Sequence, residues 1–556
     1  MKKNISVHLY GASHYISSAD GKFDIYYQGI PSLLNINNSE VDWGDRILKC
    51  MESRLDVESA VMDVIENTTG LFSLIIVSEG ECIIVSDIIR SFPLFWGNRD
   101  QNLFITDQLE KYQQEYDYFS IDKNKLEEYT ISGLVFDNGT VYEKVYGIKP
   151  GEVVVYKEGE FSHKQYFNFS KNNNYPQYSS IDVYATKADE VLLSCFKRML
   201  ENFPNVRKWV VPLSGGHDSR LIVNYLHRLG VKNVLCFSYG QCNNNVQADI
   251  SKEVAKTLGF EWYFVEYSEQ KWKELHDDGL IDQYLEFAFN GVSTSHFQDL
   301  LAIYELKSRN VISSEDVVIP GHTSMSSRLW GKELNDLSYE KIRTDAYFED
   351  LIVIHAQKHK DIYNYVEAFG KEESLEKDMF RAKFHWQEKH SKFIINSIRG
   401  YYFQGLRVAL PLWDKELAIL WLSPCSFELQ GRKLLYEIEK LTLLTDSLKQ
   451  VRFANDHGPK KVLTLRGVLK NMIPLSIIHL LVRFLGKNVK TSEGMNQLYA
   501  LRFKTIKDLI LPVKHVMPVK LLPYIKPYYN RSPYRMDPNM MTVLFTLTKL
   551  LNKNKL

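Results

Sequence analysis

The 556-residue sequence has only six cysteines, Cys50, Cys82, Cys195, Cys236, Cys242 and Cys425, with no CxxC pair and no Cys/His ligand spacing. Neither a disulfide framework nor a structural zinc site is expected, and a reducing cytoplasm fits this usage. The opening MKKNISVHLYGASHYISS carries lysines without an apolar core, so no secretory leader is read there. Long hydrophobic runs are also missing. The stretch Met472 to Gly486 falls short of the roughly 20 residues of a spanning helix and contains His479 and Arg483. It reads as a buried or amphipathic helix, with contact on an anionic membrane surface as the alternative. Neither GxxxxGK[ST] nor GxGxxG occurs, which excludes the Walker and dinucleotide-binding loops. There is no internal repeat, no low-complexity tract and no nucleic-acid recognition module, so nucleic acid is not an expected partner.

What is present is globular: 45% hydrophobic and 24% charged residues over a length that suggests two or three domains. The formal net charge of zero hides an asymmetry. From Lys460 onward there are 18 Lys and Arg against Glu493, Asp508 and Asp537, so this segment carries about +15 and the rest about −15. A basic segment of this kind is expected to face something anionic, or nothing at all.

To about residue 165 the pattern is one of short strands: GLFSLIIVSE, ECIIVSDIIR, PLFWGN, NLFITD and GEVVVYKEGEF are apolar runs cut by turn residues. This predicts a mostly β domain with a helix or two. The polar stretch Lys171 to Ser180 predicts a linker. Beyond it strands alternate with helices, as in a parallel doubly wound sheet. KWVVPL, NVLCFSY, EWYFVEY and DVVIPG are the strands, and the first two helices end on Gly230 and Gly259. From about Glu340 to Gln450 the chain reads as helical, with ALPLWDKELAILWL inserted.

The chemistry lies in Ser214-Gly215-Gly216-His217-Asp218-Ser219, between the strand KWVVPL and a helix. Glycine lets backbone approach an oxyanion closely, and a helix N-terminus offers N–H groups and positive dipole to a phosphate. Ser214 and Ser219 can donate to phosphate oxygens, whereas Asp218 faces phosphate favourably only across a cation, so it implies Mg²⁺.

SGGHDS resembles the pyrophosphate loop of the asparagine synthetase family, and CFSYG, VIPGH, GLRVALPLWDKEL and the later lysines fall in the family's order as far as about Lys461. GLFSLIIV, SDIIRSFPLFWG, LFITD and VYGIKPGEVVVY resemble the glutamine-hydrolysing domain of those enzymes. The resemblance implies an α/β protein with an N-terminal, mostly β, Ntn-type glutaminase-like domain over 1–170. A doubly wound parallel-sheet ATP-pyrophosphatase domain with helical additions would cover 181–465, and a basic helical extension 466–556. The glutaminase works through an N-terminal cysteine thiolate. Lys2 stands at position 2 and the first cysteine is Cys50, so no glutaminase activity is expected.

By the same resemblance ATP adenylates a carboxylate with loss of pyrophosphate, and ammonia or an amine then attacks the acyl-adenylate. Adenine and ribose would meet backbone at Leu213, Tyr239 and Gly321. Lys460 and Lys461, with Arg452 nearby, stand where the family stabilises its anionic intermediates. Arg399 and Arg407 flank aromatic residues, and one of them is expected to reach the active-site cleft and bind a carboxylate or phosphate. Asp414 reads first as a helix cap. After Gly321 the family places acids, but here stand His322-Thr323-Ser324-Met325-Ser326-Ser327. Water and substrate phosphates fill the coordination, or His322 takes another role, or nucleotide binds without turnover.

SGGHDSRLI, VIPGHT and NSIRGYYFQGLRVALPLWDKEL are most similar to family members of bacterial surface-polysaccharide biosynthesis. That setting implies a uronic-acid carboxylate on a small molecule or glycan as acceptor, in a cytoplasmic protein with peripheral contact at the inner membrane. A nucleotide-binding pseudoenzyme and a macrocyclising amide ligase acting on a peptide, of the β-lactam synthetase or lasso-cyclase kind, are the alternatives.

Overall fold

The computed structural model describes residues 5–34, 43–53, 56–100, 102–117, 119–169, 178, 180–241, 245–324, 383–423, 437–454, 506–514, 517, 525 and 538–553. The N-terminal part contains strands β1 (Ile5–His8), β2 (His14–Ser17), β3 (Asp24–Leu33), β4 (Thr68–Val77), β5 (Glu81–Ser86), β6 (Phe95–Arg99), β7 (Asn102–Thr106), β8 (Val145–Gly147), β9 (Glu152–Lys157) and β10 (Glu160–Gln165). They form a sheet of order β1-β7-β6-β8 and a second, antiparallel one of order β10-β9-β5-β4-β3-β2. Alternation along the strands explains the layering. Leu74 and Ile76 of β4, with Ile83 and Val85 of β5, join the core under the helices Trp43–Glu52 and Val57–Glu66. Ile75, Val77, Cys82 and Ile84 point the other way, toward Trp96, Leu103 and Ile105 of the second sheet. A strand buried on both faces reads as a continuous apolar run, as TTGLFSLIIV does.

Four helices of eight to ten residues flank the sheets, Leu109–Tyr116 and Lys123–Ser132 besides the two above. The strand-rich pattern predicted one or two. Their short apolar stripes, as in VESAVMDVIE, span too few turns to stand out from strand alternation.

The second part contains β11 (Trp209–Pro212), β12 (Val234–Gly240), β13 (Glu261–Glu266), β14 (Val317–Val318) and β15 (Arg407–Val408). They form one sheet of order β13-β12-β11-β14-β15 with every pair parallel. The chain moves outward from β11 first to one side and then to the other, so β11 lies at the point where the strand order reverses. A doubly wound sheet binds ligands at the carboxyl ends of its strands there. The helices His217–Arg228 and Val246–Leu258 end as expected, with Gly230 and Gly259 in the left-handed region. β15, inside the apparent insert, was not foreseen as a strand, since two residues carry no period.

Buried cations join the two parts. Lys392 Nζ meets Glu388 at 2.6 Å and donates to the carbonyls of Val135 and Asp137 at 2.8 and 2.7 Å. Lys415 Nζ donates to Glu66 O at 2.7 Å, and burial lowers its pKa to about 8. Trp386 Nε1 donates to Ile88 O at 2.7 Å. One apolar cluster runs from Leu71 and Phe104 through Val210 and Trp386 to Leu544 and Leu551 of the helix Pro538–Lys553. No helix among the described residues is long and apolar enough to cross a membrane. The run Met472 to Gly486 and nearly all of the expected linker lie outside the described residues.

Candidate functional site

β11 delivers Leu213 and then the Ser-Gly-Gly loop to the crevice. Leu213 N–H donates to Phe237 O at 2.8 Å and its carbonyl accepts Ser238 Oγ at 2.5 Å, which extends the sheet one residue past the strand. The loop then closes on itself through its two hydroxyls. Ser219 Oγ accepts from Ser214 N at 3.1 Å, Ser214 Oγ lies 3.1 Å from Ser219 Oγ, and Ser214 Oγ accepts from Gly216 N at 3.1 Å. Gly216 is the N-cap of the helix His217–Arg228 and gives it no side-chain cap, while Asp218 sits in the first turn. A helix start without a side-chain acceptor, at the carboxyl end of the central strand, is suited to an anion. Gly215 is required by packing: a Cβ there would lie 2.9 Å from Ala454 Cβ.

Ala454 belongs to a second wall that the sequence did not announce. Its N–H donates to Gly215 O at 3.1 Å. Arg220 donates to Val451 O and Arg452 O at 2.7 and 2.6 Å, with its guanidinium 3.6 Å from the Phe453 ring centroid. His217 stacks on the same ring at 4.2 Å and its Nδ1 lies 2.5 Å from Glu439 Oε2. Residues 439 and 451–454 are thus pinned to the loop from more than 200 positions away. Order along the chain placed Arg452 here, and it is exposed at the edge of the clamp. Lys460 and Lys461 lie outside the described residues, a few positions past the anchored Ala454.

Gly321 follows β14 and meets the same helix start, since a Cβ on it would lie 3.4 Å from Ser219 N and 3.7 Å from Asp218 Cβ. Tyr239 closes the neighbouring strand β12; its ring stacks on Tyr267 at 4.8 Å and its carbonyl accepts Asn245 Nδ2 at 3.3 Å. Leu213, Tyr239 and Gly321 therefore share the carboxyl edge of the sheet with the loop.

Where the family places acids, Ser324 is turned inward, donating to Leu412 O at 2.9 Å, so its hydroxyl does not serve a metal. His322 Nε2 lies 2.7 Å from Ser397 Oγ. Burial pushes the His322 pKa down to about 4, with Asp299 opposing the shift and His296 adding to it. The imidazole is neutral at pH 7 and offers a hydrogen-bonding group rather than a charge. Asp299, missed in the sequence, accepts a short hydrogen bond from Tyr401 Oη and approaches Tyr239 from the same side. Met325, Ser326 and Ser327 lie outside the described residues.

The expectation that Arg407 acts at this site is corrected. In the sheet register Arg407 pairs with Val317, and Val317 with Trp209, the first residue of β11. At about 3.3 Å per residue this puts Arg407 roughly 16 Å below Ser214. Its Nη2 donates instead to Glu315 O at 2.5 Å. Arg399 turns toward the junction of the two domains, with its Nη2 on Phe287 O at 2.8 Å. Asp414 is the helix cap expected, accepting Glu416 N at 2.9 Å. Among the described residues the one cluster with metal-ligand spacing is Cys195, Asp414 and Glu416. Arg198 already occupies it, 3.0 Å from each carboxylate.

Residues 57–167 match the family model of a glutamine amidotransferase domain. The two layers carrying that match precede a parallel sheet whose central strand runs into the Ser-Gly-Gly loop. The likeness is to a glutamine amidotransferase domain and covers about a fifth of the chain. The Microcin J25-processing protein McjC of Escherichia coli is 23% identical to it over 217 residues, which are 38% of this chain and 39% of that protein. The chain thus spans about two fifths of that relative's length. Among solved structures, an NH3-dependent NAD synthetase from Campylobacter jejuni is 15% identical, with 40% of this chain and 97% of that one covered at a TM-score of 0.20. A glutamine phosphoribosylpyrophosphate amidotransferase from B. subtilis is 12% identical, with 60% and 70% covered, also at 0.20. At such scores neither superposition bears on the fold, which rests on strand order and register.

Proposed function

We propose that the protein is an ATP-dependent amide-forming ligase. A substrate carboxylate oxygen attacks the α-phosphorus of ATP, pyrophosphate leaves, and ammonia or an amine attacks the acyl-adenylate to give the amide and AMP. The observation carrying this reading is the side-chain-free helix start at Gly216, at the end of the central strand, with Ser214 and Ser219 beside it. This loop holds the departing pyrophosphate. Asp218 would hold Mg²⁺, which supplies charge neutralisation at the phosphates. Lys460 and Lys461 follow a segment anchored on the loop by Ala454 and offset the negative charge of the intermediates. His322, neutral, hydrogen-bonds the incoming amine.

The carboxylate is a uronic acid of a bacterial surface polysaccharide, free or carried on a nucleotide or lipid, and the basic C-terminal segment meets an anionic membrane face from the cytoplasm. The N-terminal domain supplies no glutamine-derived ammonia. Among the described residues Cys82, Cys195 and Cys236 are buried, and burial raises the pKa of each of these three thiols, while Cys50 is half-buried.

Pyrophosphate release from ATP and Mg²⁺ should appear with one member of a panel of uronic acids and their nucleotide-linked forms. It should fall at least 100-fold in Asp218→Asn. Equal release from both proteins would sink the mechanism, and nucleotide binding with no release on any carboxylate would favour a pseudoenzyme. The match to a microcin-processing protein supports a second reading, a ligase that closes a peptide into a ring. Genes for a precursor peptide and a protease beside this one, rather than sugar-nucleotide enzymes, would favour it.

A further inference from the structure

A cavity of about 630 Å³ lies between the sandwich and the parallel sheet, walled by Gln28, Phe92 and Asp107 on one side and Phe287, Arg399 and Tyr402 on the other. None of Leu213, the Ser214–Ser219 loop, Tyr239 or Gly321 lines it. This is the size of a small-molecule site.

Its lining includes Arg198, Arg407 and Asp414 besides Arg399, and of these Arg399 is a buried cation without a carboxylate partner among the described residues. The residue is only 8% exposed and spends Nη2 on the Phe287 carbonyl, with its guanidinium 4.3 Å from the Phe287 ring centroid. Its Nε–H is buried without any acceptor. No carboxylate among the described residues is within ion-pair distance. Asp107, whose negative charge acts on Arg399, is already committed. Its Oδ1 accepts Tyr10 N at 2.8 Å, and its Oδ2 accepts Gly11 N and Gln28 Nε2 at 2.9 Å each. Two other cations at this junction are paired with carboxylates, Lys392 with Glu388 at 2.6 Å and Arg198 with Asp414 at 3.0 Å, while Lys415 and Arg90 each donate to a backbone carbonyl at 2.7 Å. Leaving a buried guanidinium with idle donors is costly, and a carboxylate that takes two of its N–H groups removes that cost. The walls around it are aromatic: Phe92 stacks on Tyr402 at 5.5 Å, and Phe287 lies under the guanidinium. A bare inorganic anion would leave these rings uncovered.

We propose that this interdomain cavity is a second ligand site, separate from the nucleotide loop, that binds a small monocarboxylate with an aryl or acyl body. The carboxylate pairs with Arg399 and the body packs on Phe92, Phe287 and Tyr402. Lys111, exposed at the rim, adds attraction for the anion.

The test is calorimetric titration of the full-length protein, without ATP, using 4-phenylbutyrate and its neutral isostere 4-phenylbutyramide as probes. Binding does not depend on turnover, so failure here is distinct from failure of the ligase reading. The acid should bind, and the amide at least about tenfold more weakly, the loss of one charge-assisted pairing. Arg399→Lys keeps the charge but loses the planar fork, so the acid should weaken by a similar factor while the amide does not change. Ala12→Trp, at an exposed wall position, should block both probes. If Arg399→Lys does not give a cooperative melt, the acid–amide difference and Ala12→Trp decide. No binding of the acid at millimolar concentration, equal binding of acid and amide, or undiminished binding to Ala12→Trp would overturn the proposal.

Discussion

A methyl group added at Gly215 offers a sharp test of how the nucleotide loop is built. In Gly215→Ala the new Cβ would meet Ala454 Cβ at 2.9 Å, whereas its next neighbours, Gln247 Cα and Ile250 Cβ, are at ordinary contact distances of 3.5 and 3.6 Å. The strain is therefore confined to one contact, and overpacking a fitted contact costs about 1–3 kcal/mol. Relief comes most readily if the 451–454 segment lifts away, breaking the Ala454 N to Gly215 O bond of 3.1 Å and loosening Phe453 from His217 and Arg220. If that segment must close again to hold nucleotide, the full cost appears in binding, as a loss of roughly 5- to 150-fold in ATP affinity. If it stays closed, the cost appears as a drop of a few degrees in Tm. Calorimetric titration with ATP and Mg²⁺, beside a thermal melt, reads both. Ala454→Gly removes the opposing methyl, so the double variant Gly215→Ala/Ala454→Gly should recover most of what the single variant loses. A single variant unchanged in both affinity and Tm, or a double variant no better than the single, would refute the packing reasoning.

Other expectations follow from buried groups. His322, with its pKa near 4 in the fold and about 6.5 unfolded, is protonated more readily once unfolded. Stability should thus be complete above pH 7 and fall as pH drops through 6.5 toward 4, by on the order of 2 kcal/mol from this group. His322→Gln should flatten the dependence of Tm on pH over that window; an unchanged slope would argue against a neutral buried imidazole. Lys392→Met leaves Glu388 buried without its cation and strips the donors from the Val135 and Asp137 carbonyls. Removing one partner of such a pair costs about 3–5 kcal/mol, so urea unfolding should show a clearly lower midpoint, and a midpoint within error of the parent would contradict the staple.

The sheet domain was readable because its signals are local. KWVVPL, NVLCFSY and EWYFVEY are bounded by glycine or polar turns, and Gly230 and Gly259 stop their helices in the left-handed region where they were expected to. The Ser-Gly-Gly loop was readable for the same reason. Its second wall was not. Glu439 and Phe453 reach His217 across more than 200 residues, and nothing in the periodicity of LYEIEKLTLL or VRFAN records that contact. A hint lay in Arg220, a cation beside the apolar run Leu221-Ile222-Val223, which had to find acceptors somewhere. Arg407 misled because its neighbours are buried, and burial says nothing about which end of a strand faces the ligand. Two-residue strands such as β15 reveal their level only through their partners.

The helix Pro538–Lys553 has a consequence for how the protein is made. Met541, Leu544, Phe545, Leu547 and Leu551 enter the cluster that also takes Leu126 and Tyr129 from the sandwich domain, and Lys549 reaches Asp282 at 2.8 Å. Contact between this helix and Lys123–Ser132 joins segments some four hundred positions apart. The two sheets of the first domain can pair as soon as they leave the ribosome, since domains form in order during synthesis. The helix Lys123–Ser132, however, must wait with an apolar face uncovered until the helix Pro538–Lys553 has been translated. The nascent chain therefore stays open to aggregation and chaperone capture there until this helix emerges, and its docking seals the first domain as well as the second.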